Sequence, residues 1–327
     1  MAPAGVRRFP VVKGDAKIDY MRTDLRELTL GDNTNSNLPY PYRSRQETLG
    51  SLEILPPEMQ LELLSHFDLK TLIEFRKINR KAKDLVDALS QYRDIRMHAL
   101  QALSGILQTG VGSRITCKTL HEKLCTAGCE DCGKFAGYLY ILTCKRVCRS
   151  CLTSKREYLP VSRDYAKSVL GLDKEALRAV PSMMPVTGQY GPYRFSWSSQ
   201  GRPYYDYDAA LQASIAMYGS EEAIRKHERR VVKASNEEYR EKAKANGISV
   251  PNRGPRQVSR RLTTWILDKN NPQRWIAVVR TPWLDKSKHE SILGSYCAAC
   301  NDRILYIGDE IEEHASRCLN IIPGATV

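Results

Sequence analysis

The chain has 327 residues, a length that suits about two domains, and 42% of them are hydrophobic, enough to bury a core. Its formal charge is +13, so acidic partners come into consideration. No apolar run reaches about 18 residues, which excludes a transmembrane helix, and the opening MAPAGVRRFPVVKGDAKIDY lacks the apolar stretch of a signal peptide.

A cytoplasmic or nuclear location is the expectation. Thiols stay reduced there, and clustered cysteines bind metal or do catalysis more often than they form disulfides.

In chain order, residues 1–48 come first. They are polar, carry Asn, Pro and Arg, and show no period. GDNTNSNLPYPYRSRQ cannot bury a core, which reads as disorder. The next stretch is helical. Pro56 and Pro57 stand where a helix starts, and Met59, Leu63, Leu64 and Phe67 follow at helical spacing. Asp68 is placed to cap a second helix bearing Leu72, Ile73 and Phe75. Ile78, Ala82, Leu85, Val86 and Leu89 make a third. Three short helices in about 40 residues enclose a very small interior, so this unit needs a partner surface. Residues 90–125 read as two helices broken at Gly110–Gly112.

Seven of the ten cysteines lie between Cys117 and Cys151. Cys129-x-x-Cys132, fifteen residues, then Cys148-x-x-Cys151 is a four-thiolate zinc spacing. Gly133 follows the second cysteine, where a metal knuckle often needs positive φ. Phe135–Leu142 is aromatic and β-rich, so it reads as a strand between two metal turns, the arrangement of a zinc ribbon. Soft thiolates in a tetrahedron suit Zn. Cys125 and Cys144 are nearby, and either is a possible substitute for one of these ligands. Cys117 reads as a small apolar residue of the preceding helix.

Further along, residues 176–207 are rich in Pro, Gly and aromatics and read as a loop and a hairpin turning at Gln200–Gly201. From Ser220 to Gly247 runs a long helix, capped by Ser220 and with Glu221 and Glu222 at its N-terminus. Its apolar stripe is thin: Ile224, Val231, Ser235 and Tyr239. GISVPNRGPRQVSRR reads as a linker and RWIAVVRTPWL as a strand. Cys297-x-x-Cys300, thirteen residues, then His314-x-x-x-Cys318 is a zinc-finger spacing with three thiolates and one imidazole. DEIEEHASRC reads as a short helix that puts His314 and Cys318 on one face. His66, His98, His121, His227 and His289 have no such context and read as structural.

Both sets are filled by four ligands, whereas a catalytic zinc keeps an open position. There is no His-Glu-x-x-His, phosphate-binding glycine loop or nucleophile elbow, and no RING with eight interleaved ligands. Two structural zinc ions that staple small modules are the expectation. The fold class is mainly α with small β elements. The expected divisions are 1–48, 49–95, 96–180, 181–262 and 263–327.

Residues 49–95 resemble the F-box. Its pattern opens on Leu-Pro-x-Glu, matched by Leu55, Pro56 and Glu58. Leu63, Leu64 and Phe67 take the second element, Leu72 the third, and Ile78, Asn79 and Arg80 stand for Val-Ser-Arg. The aromatic that follows in the family is missing from KAKDLV. With the cysteine pairs, and with Glu290, Gly294, Cys297, Cys300, His314 and Cys318 at the end, the chain is similar to a class of F-box proteins common in filamentous fungi.

That resemblance implies a non-catalytic adaptor. Its F-box would dock on a Skp-type linker bound to a cullin, through Leu55, Pro56, Glu58, Leu63, Leu64, Phe67, Leu72 and Ile78. The remainder would recruit a protein substrate, of unknown identity, for ubiquitination. Two other readings stand beside it. Basic residues concentrate around 114–163 and 221–261, beside the zinc modules, which fits a zinc-dependent nucleic-acid binder. The third is a scaffold that binds its Skp partner outside any ligase.

Overall fold

The computed structural model describes residues 48–186, 188–190, 195–197, 201–245, 271–297 and 304–318, with the backbone of 11–13 and 21–22. The fold is mainly α with short strands. Two compact units are built from interleaved pieces of chain. The first takes Met1–Cys151, Gly188–Ser196 and Val278–Val327, the second Leu152–Thr187 and Trp197–Ala277.

The first unit opens with a 3-10 turn at Gly50–Ile54. Helices α1 (Pro57–Ser65), α2 (Leu69–Arg76), α3 (Arg80–Ala88), α4 (Ser90–His98), α5 (Leu100–Gln108) and α6 (Cys117–Leu124) follow. Their starts are chemically marked. Pro57 is the first residue of α1, where its missing N–H costs nothing. The Asp68 carboxylate accepts from the Thr71 backbone N–H at 2.9 Å, and Asn79 Oδ1 accepts from that of Ala82 at 2.8 Å. Leu64, Leu69, Leu72, Val86, Tyr92, Ile95 and Leu103 form a dry core. Asp87 on α3 accepts two bonds from Arg76 on α2, at 2.8 and 2.9 Å.

Residues 90–125 hold three α-helices rather than the expected two, because the chain also breaks at Ala99 (φ −130, ψ 32). Periodicity carried no sign of this. The buried positions Tyr92, Ile95, Ala99, Ala102, Leu103 and Ile106 keep helical spacing through the break. The bend serves packing, since α4 lies against α6 while α5 lies against a strand near the C-terminus.

Strands β1 (Val11–Lys13) and β2 (Met21–Arg22) come before these helices, and β3 (Tyr138–Tyr140) and β4 (Lys145–Val147) after them. β1 and β2 correct the expectation of disorder at those two short pieces. A ladder uses main-chain groups, so a segment poor in core-forming residues can still pair. The rest of 1–47 lies outside the described residues. β3 and β4 form an antiparallel hairpin pairing Tyr138 with Val147. The strand expected at Phe135–Leu142 is thus shorter, and Phe135 instead forms an isolated bridge with Gly128.

The second unit takes over within α7 (Arg149–Ser154), from Leu152, then holds β5 (Val161–Ser162), α8 (Arg163–Ser168), α9 (Lys174–Ala179) and β6 (Ser182–Met183). After β7 (Gly188–Tyr190) and β8 (Phe195–Trp197) come β9 (Tyr204–Tyr205), α10 (Tyr207–Tyr218) and α11 (Glu221–Ala245). Leu159, Tyr165, Leu170, Leu177, Tyr205, Tyr207 and Ile224 belong to this unit's core. Among the described residues, the strands on either side of the turn expected at Gln200–Gly201 do not pair with each other. β9 lies between β5 and β6, while β8 joins β7 and β2. These partners are set by distant segments, which local turn chemistry cannot report. Gln200 itself lies outside the described residues.

Ser220 caps α11, its hydroxyl accepting from the Ala223 N–H at 3.2 Å. Beyond buried Ile224, the helix is laced by exposed pairs: Glu221–Arg225, Glu222–Lys226, Lys233–Glu237 and Glu238–Lys242. This is a solvated face. The Ser235 and Tyr239 side chains, Gly247 and the expected linker lie outside the described residues.

The C-terminal part returns to the first unit with β10 (Val278–Arg280), β11 (Trp283–Asp285), β12 (Glu290–Ile292), β13 (Ser295–Cys297) and α12 (Glu310–Arg317). The strand expected in RWIAVVRTPWL is a 3-10 turn, Pro272–Ala277, followed by β10 and β11. β10 pairs with β3, β11 with β12, and β13 with β1. No helix among the described residues is long and apolar enough to cross a membrane.

Removing a cap carboxylate or amide orphans a backbone donor. Asp68→Ala and Asn79→Ala are each expected to cost about 1 kcal/mol in urea denaturation, against less than about 0.5 kcal/mol for the exposed Lys83→Ala.

Candidate functional site

Two side-chain clusters and one apolar face carry the chemistry. In the first cluster the Sγ atoms of Cys129, Cys132, Cys148 and Cys151 all lie within 4.8 Å of one another. A tight knuckle delivers the first pair. Gly133 adopts φ 73, its N–H donates to Cys129 O at 2.9 Å, and the Cys129 N–H donates to Lys134 O at 2.7 Å. The knuckle is tied to β4, since the Arg146 N–H donates to Glu130 Oε1 at 2.7 Å and the Glu130 N–H to Arg146 O at 3.0 Å. The second pair brackets the start of α7, with the Cys151 N–H 3.4 Å from Cys148 Sγ.

The other cysteines of this region stand apart. Cys125 Sγ lies 3.7 Å from His121 Nε2, which is itself 3.0 Å from Asp94 Oδ2. Cys144 ends the β3–β4 turn at φ 53, and burial pushes its thiol up to about 12. Neither joins the four-sulfur group. Cys117 opens α6 fully buried, and its thiol is likewise pushed to about 12.

Arg146, between the cysteine pairs, is a residue that sequence reading missed. It is fully buried, yet its guanidinium donates to Lys123 O at 3.1 Å, Pro282 O at 2.8 Å and Thr281 O at 3.0 Å. Burial lowers its pKa to about 10, so it stays charged at neutral pH. The Lys123 carbonyl belongs to the last turn of α6, the negative end of that helix. One cation thus joins α6, the four-cysteine module and the β10–β11 connection. No sequence signal separates it from its surface-seeking neighbours in CKRVC.

The second cluster brings together Cys297 from β13, His314 from α12 and Cys318 just after it, their ligand atoms within 4.8 Å. Cys300, expected as the fourth ligand, lies outside the described residues. Gly294 adopts φ 74, and a Cβ there would come within 2.5 Å of the Phe135 ring. Leu305 covers Gly137, where a Cβ would collide with its side chain. Both contacts seat this module on the spacer of the first. Tyr306, also missed from sequence, stacks on the His314 ring with 4.6 Å between centroids.

The donor sets fit a bound cation. Four sulfurs packed this closely can converge on one ion, and thiolate and imidazole donors select soft or borderline ions.

The apolar face lies at the start of the helical layer. Ile54 is 83% exposed, Met59 56%, Leu63 42% and Ile78 67%. Leu55, Pro56 and Glu58 are also exposed. Met59 and Leu63, four residues apart, share a side of α1, with Ile54 and Leu55 at its entrance. Phe67 is half-buried, edge-on to Phe75 with ring centroids 6.2 Å apart. Leu64 and Leu72, also expected to dock, are completely buried in the core beneath this face, while Ile54 and Met59 are exposed on it.

Residues 52–94 match the F-box domain family. The chain carries an F-box domain. It runs from the 3-10 turn through α1, α2 and α3 into α4, so it includes the exposed apolar residues and their buried support. The likeness ends before the cysteine clusters, and neither the curated proteins nor the solved structures contain a match to the chain.

Two outcomes test the metal modules. Arg146→Met keeps the bulk but strands three carbonyls, and is expected to cost about 3 kcal/mol in denaturation. Burial holds the Cys148 thiol at about 11 and also raises Cys151. Without metal these groups are protonated at neutral pH, so binding a cation releases protons. Metal affinity, followed by chelator competition, is expected to fall as pH falls, by about tenfold per unit for each proton displaced.

Proposed function

We propose that this protein is a substrate-recognition adaptor of a Skp–cullin–F-box ubiquitin ligase. The observation that carries the reading is the F-box domain itself, with large apolar side chains exposed on its surface. F-box domains bind Skp-type linkers in complexes with a cullin. The docking residues are Ile54, Leu55, Pro56, Glu58, Met59, Leu63 and Ile78, with Phe67 at the margin. Ubiquitin transfer belongs to other subunits, in the cytoplasm or nucleus.

Both cysteine clusters hold zinc in this reading, with Cys300 completing the second. Four thiolates in one set, and thiolates with an imidazole in the other, suit a tetrahedral d¹⁰ ion. The zinc ions staple the part of the chain that recruits a protein substrate. The order of F-box, cysteine pairs and C-terminal finger, similar to that of the fungal class, supports this arrangement. The i,i+4 ion pairs along α11 neutralise much of its basic charge, which favours a protein substrate over nucleic acid.

Affinity purification decides between the readings. Burying one exposed leucine is worth roughly 1.5–3 kcal/mol, or about 10–100-fold in affinity. Leu55→Ala with Leu63→Ala is therefore expected to abolish recovery of the linker and cullin while two zinc equivalents per chain remain. Leu64→Ala should instead destabilise the domain by about 2–5 kcal/mol. Wild-type recovery by the double variant would defeat the docking face. Absence of zinc in folded protein would defeat the metal reading. Salt-sensitive nucleic-acid binding without linker recovery would favour the zinc-dependent nucleic-acid binder.

A further inference from the structure

The geometry points to Tyr306 as the residue that positions His314 for metal binding through Nε2. The inference rests on the reading of the second cluster as a zinc site and adds a determinant of its affinity that the ligand spacing does not contain. An imidazole offers two nitrogens, and the one left for a metal is set by what the other bonds. Tyr306 Oη lies 3.0 Å from His314 Nδ1. With that nitrogen engaged, Nε2 is the one available to an ion shared with Cys297 and Cys318. The ligating tautomer then carries its proton on Nδ1 and donates it to the Tyr306 oxygen.

Tyr306 also restrains the ring from its face. The two rings are stacked, inclined by 26°, so the phenol limits rotation of the imidazole as well as its tautomer.

Its own backbone is held in turn. The Tyr306 N–H donates to Ser295 O and the Ser295 N–H to Tyr306 O, each at 2.8 Å. Ser295 stands two residues before Cys297 on β13. Tyr306 therefore connects the strand that carries Cys297 to the helix that carries His314 and leads into Cys318. Leu305, its neighbour, is anchored over Gly137, and the Phe135 ring packs against Gly294 beside the Tyr306 carbonyl. The backbone that carries the phenol is held by these contacts. A ligand oriented in advance loses less freedom when the ion arrives. Partners of this kind typically change metal affinity 10–100-fold.

The test uses the full-length, zinc-loaded chain as wild type, Tyr306→Phe and Tyr306→Leu. A graded chelator competition separates release from the two clusters. Long-range ¹H–¹⁵N spectra of the histidines identify the metallated nitrogen. Tyr306→Phe keeps the stack and removes only the hydroxyl, so its helical circular dichroism at saturating zinc should equal that of wild type.

We expect Nε2 metallation in wild type. In Tyr306→Phe the second zinc should leave at chelator concentrations about 10–100-fold lower, with the four-thiolate zinc unaffected. Tyr306→Leu, which loses stack and hydroxyl, should release it more easily still. Two zinc equivalents in wild type with unchanged release from Tyr306→Phe, or with metal on Nδ1, would overturn the role of Tyr306 alone. Fewer than two equivalents in wild type would overturn the zinc reading of that cluster and this inference with it.

Discussion

A single buried guanidinium sets the constraint on which the cysteine-bearing part of the first unit depends. Arg146 is cut off from water and its two terminal nitrogens donate to three backbone carbonyls from two other regions of the chain. A buried charge with no compensating acceptors would be untenable. The α6 terminus and the β10–β11 connection must therefore stay where their carbonyls meet it. Residues 281 and 282 reach this point only because β10 adds to β3, and β3 pairs with the strand that carries Arg146. The cation and the sheet enforce each other. The knuckle bearing Cys129 and Cys132 is fixed through the backbone of the same arginine.

Around that point the chain solves a recurring problem of small modules, which have little interior to stabilise them. The F-box domain uses caps, an Arg76–Asp87 bridge and a compact leucine core, and leaves large side chains outside. The cysteine modules are smaller again. Their cysteines and histidine are brought together by turns, hairpins and one short helix, and each module is seated by a glycine that admits a neighbouring ring or methyl group. Gly294 receives Phe135 and Gly137 receives Leu305. The two modules are thereby in direct contact, and disturbance of one reaches the other through Phe135 and Leu305.

The second unit is organised differently. Its core is aromatic and aliphatic, with Tyr165, Tyr205 and Tyr207 among leucines and valines. Another fully buried arginine, Arg274, bonds to the carbonyls of Leu152 and Lys155. Ile224 buries the first turn of α11 in this core and His227 lies against Tyr218, its ring centroid 5.0 Å away, while the paired charges of the helix face solvent. In the proposed adaptor, this unit and the cysteine modules form the part of the chain available for a substrate.

The sequence by itself determined the local features. Pro56, Pro57, Asp68 and Ser220 marked helix starts because capping is a contact within one turn. Gly133 marked a knuckle because its φ is a property of one residue. Cysteine spacing grouped Cys129, Cys132, Cys148 and Cys151, and joined Cys297 to His314 and Cys318, because short turns leave those side chains few other directions. The F-box was legible for the same reason, as a run of local helices at fixed spacing. Only the tertiary structure decided the rest. It placed Leu64 and Leu72 inside and Ile54 and Met59 outside, since burial depends on what packs on the other side of a helix. It broke the chain at Ala99 within an unbroken apolar period, and it paired β9, β10 and β13 with strands remote in sequence. It also set Arg146 on its three carbonyls and Tyr306 on His314. Those interactions exist only once distant segments meet, and no window of the sequence contains both partners.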